Sequence, residues 1–237
     1  ISGPETRVLD IGCGRGRISH YFASLHGSRV SGFNIDANQI GNAIEYAKDT
    51  GMADLLDFKV GDHHLRFDYD DETFHGAFSF QAVWPFFKAG TELDFTANEI
   101  YRVLKPGGIY TCGEYLLTPE FSWDNEHHRH LHGLFLPTLA ATQSLYPADV
   151  VAAFERAGFV VLLSAPSVAP AWPLTDQKTD LFLAFRSLVV FLTSIGVTPT
   201  WVETLINNLL LGGQAWAEAE KAKIADLNWQ IVAQKPL

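Results

Sequence analysis

Positive charge, cysteine and long apolar runs are all scarce in this 237-residue chain. Lys and Arg number 17 against 27 Asp and Glu, a formal charge of −10, and no Lys/Arg-rich run occurs. Nucleic acid is thereby excluded as a partner class, because its phosphates need a basic surface. The two cysteines, Cys13 and Cys112, both fall in strand or motif positions, which argues against a disulfide framework and for a reducing compartment. No signal peptide is read. The most apolar run, Leu181 to Ile195, is broken by Arg186 and Ser187 and is too short to span a bilayer. It can still lie on a membrane surface, so an intracellular location is expected, cytoplasmic or peripheral to a membrane. The chain starts at Ile1, almost inside the first strand and without an initiator Met, so an upstream segment is expected to be missing.

What the sequence does hold is organised around Val8-Leu-Asp-Ile-Gly-Cys-Gly-Arg-Gly16. A short apolar strand ends there in three alternate glycines that must turn into a helix. Glycine lets backbone approach a ligand closely, and the helix start offers free N–H groups. The dinucleotide fingerprint needs a third glycine three positions after the second, but Arg17 stands there, so that cofactor frame fails.

Further along, apolar Ile18, Tyr21, Phe22 and Leu25 recur at helical period. Strands are read at 29–34, 56–60, 76–80, 109–116 and 159–164. Between them lie a helix opened by Asp36 and carrying Ile40, Ala43, Ile44 and Ala47, one carrying Leu93 to Leu104 and stopped by Lys105-Pro-Gly-Gly108, and one begun by Pro147 with Val150, Val151 and Phe154 buried. The last strand, 225–234, alternates apolar and polar residues, as an antiparallel or edge strand with one wet face does. The fold class is α/β: a Rossmann-like, seven-stranded, mostly parallel sheet with an antiparallel last strand, helices on both faces and a helical cap over the strand carboxyl ends. One domain, 1–237, is expected, with its core at 1–118, 145–165 and 225–237 and cap segments at 119–144 and 166–224. The cap includes an apolar helix from Asp180, another opened by Thr200-x-x-Glu203, and Gly212-Gly213.

Several motifs occur in order: Asp10-x-Gly-x-Gly-x-Gly16, Gly32-Phe-Asn-Ile-Asp-x-x-Gln39, Gly61-Asp62, Glu99 through Lys105-Pro-Gly-Gly108, Gly113-Glu114-Tyr115 and Asn125-Glu-His-His-Arg129. Trp172-Pro-Leu-Thr175, Leu211-Gly-Gly213 and Ala233-Gln-Lys-Pro236 continue the series. The set resembles the sterol 24-C-methyltransferase family of class I S-adenosylmethionine (SAM) enzymes. The resemblance implies SAM as cofactor and S-adenosylhomocysteine (SAH) as product. Gly12, Cys13, Gly14 and Gly16 would admit the methionine and ribose portions, and Asp10 would fix the ammonium. Asn34 would take the ribose hydroxyls, with Asp36 and Gln39 as alternates. Asp62 would accept from the adenine amine between His63 and Ile35, and Phe80 and Gln81 would approach the sulfonium.

The same resemblance implies methyl transfer to an alkene of a terpenoid or sterol-like molecule. The resulting cation needs electron-rich faces and a base. Trp84, Phe86, Phe87, Tyr115 and Trp123 are the candidate acceptor-facing aromatics; Glu114, His128, His127 and Gln81 are the candidate catalytic groups. The sequence departs from the family where Gln81 replaces an acid, Trp84-Pro85 replaces a Cys-His pair, and Leu134-Phe-Leu-Pro137 replaces an acidic Gly-rich segment. Two alternatives therefore stay open: a small-molecule O- or N-methyltransferase with a His base, and a SAM-binding partner subunit without activity. His128 and His132 share a helical face but lack further ligands, so no metal is assigned. The acceptor and the oligomeric state are left open.

Overall fold

Strand β1 (Arg7–Ile11) is buried at every position after Arg7, as a parallel strand covered on both faces must be. It pairs in parallel with β2 (Arg29–Asn34) on one side and β4 (Phe74–Phe80) on the other, and β3 (Leu56–Val60) extends the sheet beyond β2. The computed structural model, which describes residues 3–87, 91–139, 141–167 and 180–237, orders the full sheet β3-β2-β1-β4-β5-β7-β6. Here β5 is Leu104–Leu117, β6 Val160–Ala165 and β7 Ala225–Gln234. Strand β4 pairs with β5 in parallel and β6 with β7 antiparallel. The antiparallel reading of β7 is the one realised, and the edge position belongs to β6 instead.

Helix α1 (Arg17–His26) exposes much of the stripe that its sequence offers as apolar: Tyr21 is 66% and Leu25 61% exposed, while Ser19 and Ala23 are buried. The cause lies at the sheet end. Ser19 Oγ donates to Asp10 on β1 at 2.5 Å, so the small-residue side of the helix faces the strands, with Phe22 leaning on Phe78 at 5.5 Å between centroids. Helix α2 (Ala37–Asp49) is capped as its sequence predicts, Asp36 accepting from the Asn38 and Gln39 amides, and it buries Ile40, Ala43 and Ala47. These join Val8, Val30, Phe58 and Phe78 in one apolar cluster.

Helix α3 (Thr91–Val103) leads into β5 without a separate turn. Lys105 to Gly108 form a bulge inside the strand, where pairing jumps from Phe74/Leu104 to Gly76/Ile109. Gly107 takes φ +76 there, its N–H donates to the Lys235 and Pro236 carbonyls, and Lys235 N–H donates back to Gly108. The C-terminal tail thus satisfies a bulge that the sequence suggests is a free turn. The equivalent helix α5 is Pro147–Ala157; it buries Val150, Ala153 and Phe154 and leaves Val151 half-buried.

The chain divides into two compact units. The first comprises Ile1–Tyr115, Leu145–Pro166 and Asn228–Leu237, the second Leu116–Ser144 and Ser167–Leu227. In the second unit, α4 (Glu126–Phe135) packs on α7 (Thr200–Lys221), and α6 (Asp180–Ser194) packs on α7 as well. Pro199, not a capping Thr200, precedes α7, and no side-chain cap forms. Gly212 lies inside α7, where a Cβ would meet Thr138 Cγ2 at 2.1 Å, so the glycine lets the turn Leu136–Leu139 come close. Phe135 meets Trp216 edge-on at 5.0 Å. Among the described residues no helix is long and apolar enough to cross a membrane. The Trp172–Thr175 motif lies outside the described residues.

Candidate functional site

In the first unit, the carboxyl ends of β1, β2, β3 and β4 open into a cavity of about 660 Å³. A doubly wound sheet places its ligand there because strand ends and helix starts converge on one side. The lining brings together Gly12, Cys13 and Gly14 after β1, Asn34, Ile35, Asp36 and Gln39 after β2, Asp62 and His63 after β3, and Phe80, Gln81 and Phe86 after β4. Most of the residues that the family resemblance assigns to a cofactor are therefore neighbours in space.

Each glycine of the loop has its own reason. Gly12 has φ +77, and a Cβ on it would lie 2.4 Å from Ala82 Cβ. Gly14 has φ +54 and faces Gln39 Oε1. Gly16 does not line the cavity; at φ +70 it caps α1, and a Cβ would strike Phe58 at 2.7 Å. Asp10 does not line the cavity either. It is 3% exposed beneath the loop, and burial pushes its carboxyl up to about 7 against the bond from Ser19. Its visible task is to tie α1 to the end of β1.

At the far end, Asp62 Oδ1 accepts from the His64 amide at 2.8 Å and pairs with His64 Nδ1 at 2.9 Å. Burial works against the Asp62 carboxylate, but the His64 bonds win and hold it below its usual range. His63 packs on Phe87 at 5.2 Å between centroids, and burial pushes its imidazole down to about 4, leaving it neutral. His63 Nε2 is buried and has no hydrogen-bond partner among the described residues. Asp62, His63 and His64 bring one ligand atom each to within 4.8 Å of one another, a grouping separate from the histidines at 127–132 that the sequence offers.

Three candidate acceptor-facing aromatics turn inward. Trp84 is fully buried, edge-on to Phe154 at 5.4 Å and Tyr110 at 6.3 Å, while Phe87 is also fully buried and Tyr115 is 1% exposed. These rings fill the core behind the strand ends, and only Phe86 of the Trp84–Phe87 turn reaches the cavity. Glu114 is likewise sealed at 0% exposure. Its carboxylate accepts from Ser79 Oγ at 2.8 Å, from the Ala82 amide at 2.9 Å and from the Val83 amide at 3.4 Å, and burial raises it to about 7. Gln81 lines the cavity at φ +55, a left-handed conformation rare for a non-glycine residue.

His127, His128 and Trp123 belong to the second unit. His128 Nδ1 accepts the Ser122 N–H at 3.0 Å, so its neutral ring carries the proton on Nε2 and the lone pair needed by a base is spent. His127 is arranged the other way: Nε2 faces Glu218 Oε1 at 3.0 Å, which leaves Nδ1 as the accepting nitrogen. Trp123 is 48% exposed and meets Phe121 and His132 edge-on. Arg15, Arg17, Ile18, His64 and Ala82 also line the cavity without being site candidates from the sequence; each sits one or two positions from a candidate, which is the signal that could have found them.

The family described as a methyltransferase domain matches residues 2–154. The chain belongs to the methyltransferase-domain family. Among curated relatives, sterol 24-C-methyltransferase ERG6B of Gibberella zeae is 28% identical over 257 residues, covering 98% of this chain and 66% of its own length. ERG6 of Saccharomyces cerevisiae is 32% identical over 252 residues, covering 97% and 64%, and squalene methyltransferase 1 of Botryococcus braunii 28% over 225, covering 89% and 58%. The chain thus spans less than two thirds of these relatives. Among solved structures, a geranyl diphosphate C-methyltransferase of Streptomyces coelicolor aligns with TM-score 0.70 at 15% identity, covering all of this chain and 75% of its own. The [4+2]-cyclase SpnF aligns with TM-score 0.65 at 21% identity, covering 100% and 77%. At such identities these two show the fold alone.

Proposed function

We propose that this methyltransferase-family chain binds SAM in the first-unit cavity and transfers its methyl group to the carbon of an apolar terpenoid or sterol-like acceptor. The observation that carries the reading is the seating of Gly12 on Ala82, where no side chain fits between the glycine loop and the turn after β4. Around this cradle stand Asn34, able to donate and accept to a diol, and Asp62, which meets both the His64 amide and the His64 ring through Oδ1. SAM supplies an electrophilic methyl group, so the protein's task is alignment and the exclusion of water. The relatives named for sterol and squalene methylation support the apolar acceptor. The second unit, with exposed Phe185, Leu188, Phe191 and Trp201, is read as the surface that meets lipid.

Heteroatom transfer is the second reading. It is favoured by one observation: the cavity offers Gln81 where an acid would serve the alkene reaction, and Glu114 is sealed. Under that reading His127, oriented by Glu218, is the base.

Titration calorimetry with SAM and SAH tests the cofactor, and no binding of either would end the proposal. Labelled SAM with squalene, a Δ24 sterol, geranyl diphosphate and a phenolic acceptor then separates carbon transfer, heteroatom transfer and a non-catalytic subunit.

A further inference from the structure

The buried carboxylate of Glu114 is the strongest feature that the cofactor reading leaves unexplained. It projects from β5 with no exposure, and among the described residues no Lys or Arg forms an ion pair with it. Its hydrogen bonds among the described residues come from one neighbourhood. Two are main-chain amides of the turn after β4, Ala82 and Val83, and the third is the Ser79 hydroxyl, which also bonds the Tyr110 hydroxyl at 2.7 Å. That turn begins with left-handed Gln81 and ends in the 3-10 turn Trp84–Phe86. Gln81, Ala82 and Phe86 line the cavity, and Ala82 is the residue on which Gly12 sits.

An unpaired buried carboxylate costs free energy, and its acceptance of main-chain N–H groups is what offsets that cost. The same bonds compensate the unfavourable dihedral of Gln81. We infer that Glu114 is a positioning residue: its carboxylate locks the Gln81–Val83 turn against the glycine loop and so sets the methyl-transfer end of the cavity, without taking a proton from an acceptor. This rests on the SAM reading for its consequence but not for its geometry.

The discriminating measurements are SAH affinity and amide hydrogen exchange in wild type, Glu114→Gln and Glu114→Asp. An amide in place of the carboxylate brings N–H against N–H at one of the two main-chain donors. Glu114→Gln is expected to weaken SAH binding roughly tenfold or more, as loss of a charge-assisted bond does, and to release the Ala82 and Val83 amides to exchange. Glu114→Asp should recover part of both. The wild-type affinity should also fall as pH drops through 7, and the Glu114→Gln profile should lack that component. Asp10, which titrates nearby in pH, is present in both proteins and cancels in the comparison; Tyr110 and Cys112, the titratable neighbours on β5, are held neutral by burial. Unchanged SAH affinity and unchanged exchange in Glu114→Gln would overturn the inference, as would lost turnover with SAH binding intact, the signature of a base. Should Glu114→Gln fail to fold, Ser79→Ala removes one donor to the same carboxylate and is expected to shift the exchange of both amides in the same direction. If wild type does not bind SAH, the cofactor reading fails while the exchange arm still decides the positioning role.

Discussion

Three glycine-to-alanine changes separate what the glycine loop does for the fold from what it does for the ligand. Gly12, Gly16 and Gly27 all have positive φ, +77, +70 and +64, so each alanine carries about 1–2 kcal/mol of left-handed strain. At Gly27 nothing lies within 4 Å of the added Cβ, and the cost should stop there. At Gly16 the methyl would lie 2.7 Å from Phe58 Cζ and 3.0 Å from Ala43 Cβ; at Gly12 it would lie 2.4 Å from Ala82 Cβ. Carbon atoms rest about 3.5–4.0 Å apart, so both changes force backbone or ring to move, adding roughly 1–3 kcal/mol. The totals are about 2–5 kcal/mol for Gly12→Ala and Gly16→Ala against about 1–2 for Gly27→Ala. At roughly 2–4 °C per kcal/mol for a chain of this size, Tm should fall by about 4–20 °C and about 2–8 °C respectively. The decisive assay is the shift in Tm produced by saturating SAH. Gly12 lines the cavity and Gly16 does not, so Gly16→Ala should keep the ligand-induced shift and Gly12→Ala should lose most of it. Equal ligand shifts in the two variants, or a Gly12→Ala protein as stable as Gly27→Ala, would refute the reasoning.

Other outcomes follow from the same geometry. Burial holds Asp10 at about 7 in the folded chain, above its value when unfolded, so its contribution to stability is greatest below about pH 4 and is lost as pH rises toward 7. His63, pushed down to about 4, contributes in the opposite sense, so urea midpoints must be compared between wild type and Asp10→Asn; the mutant should gain on wild type from pH 5 to 8, and a parallel pair of profiles would count against it. Asp62→Ala should weaken SAH more than it weakens a methionine-only fragment, measured by competition; equal losses would remove Asp62 from the adenine end. In a turnover assay with a heteroatom acceptor, His127→Gln and Glu218→Gln should each cut kcat with little change in SAH affinity, and His128→Gln should mainly loosen the Ser122 turn, seen as lower Tm. A His128→Gln enzyme that loses kcat alone would restore His128 as the base.

The strands were legible because buried parallel strands are short apolar runs, and glycine, proline and capping residues punctuate them: β2, β3 and β7 have the bounds that the sequence suggests. What was hidden depends on partners distant in the chain. Lys105-Pro-Gly-Gly108 reads locally as a helix stop, and only the Lys235 and Pro236 backbone shows that it is a bulge. The buried face of α1 is chosen by a hydroxyl–carboxylate bond that no apolar period encodes. Among aromatics after a strand, type and position do not say which side they take: Phe86 lines the cavity while Trp84, two residues earlier, is core.

The two acids that the motifs place at the chemistry, Asp10 and Glu114, turn out to share one design. Each lies at or near a strand's carboxyl end, each is buried and pushed up to about 7, and each accepts a serine hydroxyl, from Ser19 and Ser79. Neither lines the cavity, yet each braces a segment that does: Asp10 through α1 and its loop, Glu114 through the turn that carries Gln81 and Ala82. A carboxylate so placed offers about four lone-pair sites to donors, roughly twice what a serine hydroxyl or an amide oxygen offers, and its burial keeps the brace rigid. An acid next to a glycine-rich loop is therefore as well suited to holding the loop's shape as to touching its ligand. Asn34, Gln39, Asp62, His63 and Gln81 do line the cavity, and they are the residues proposed to read the ligand.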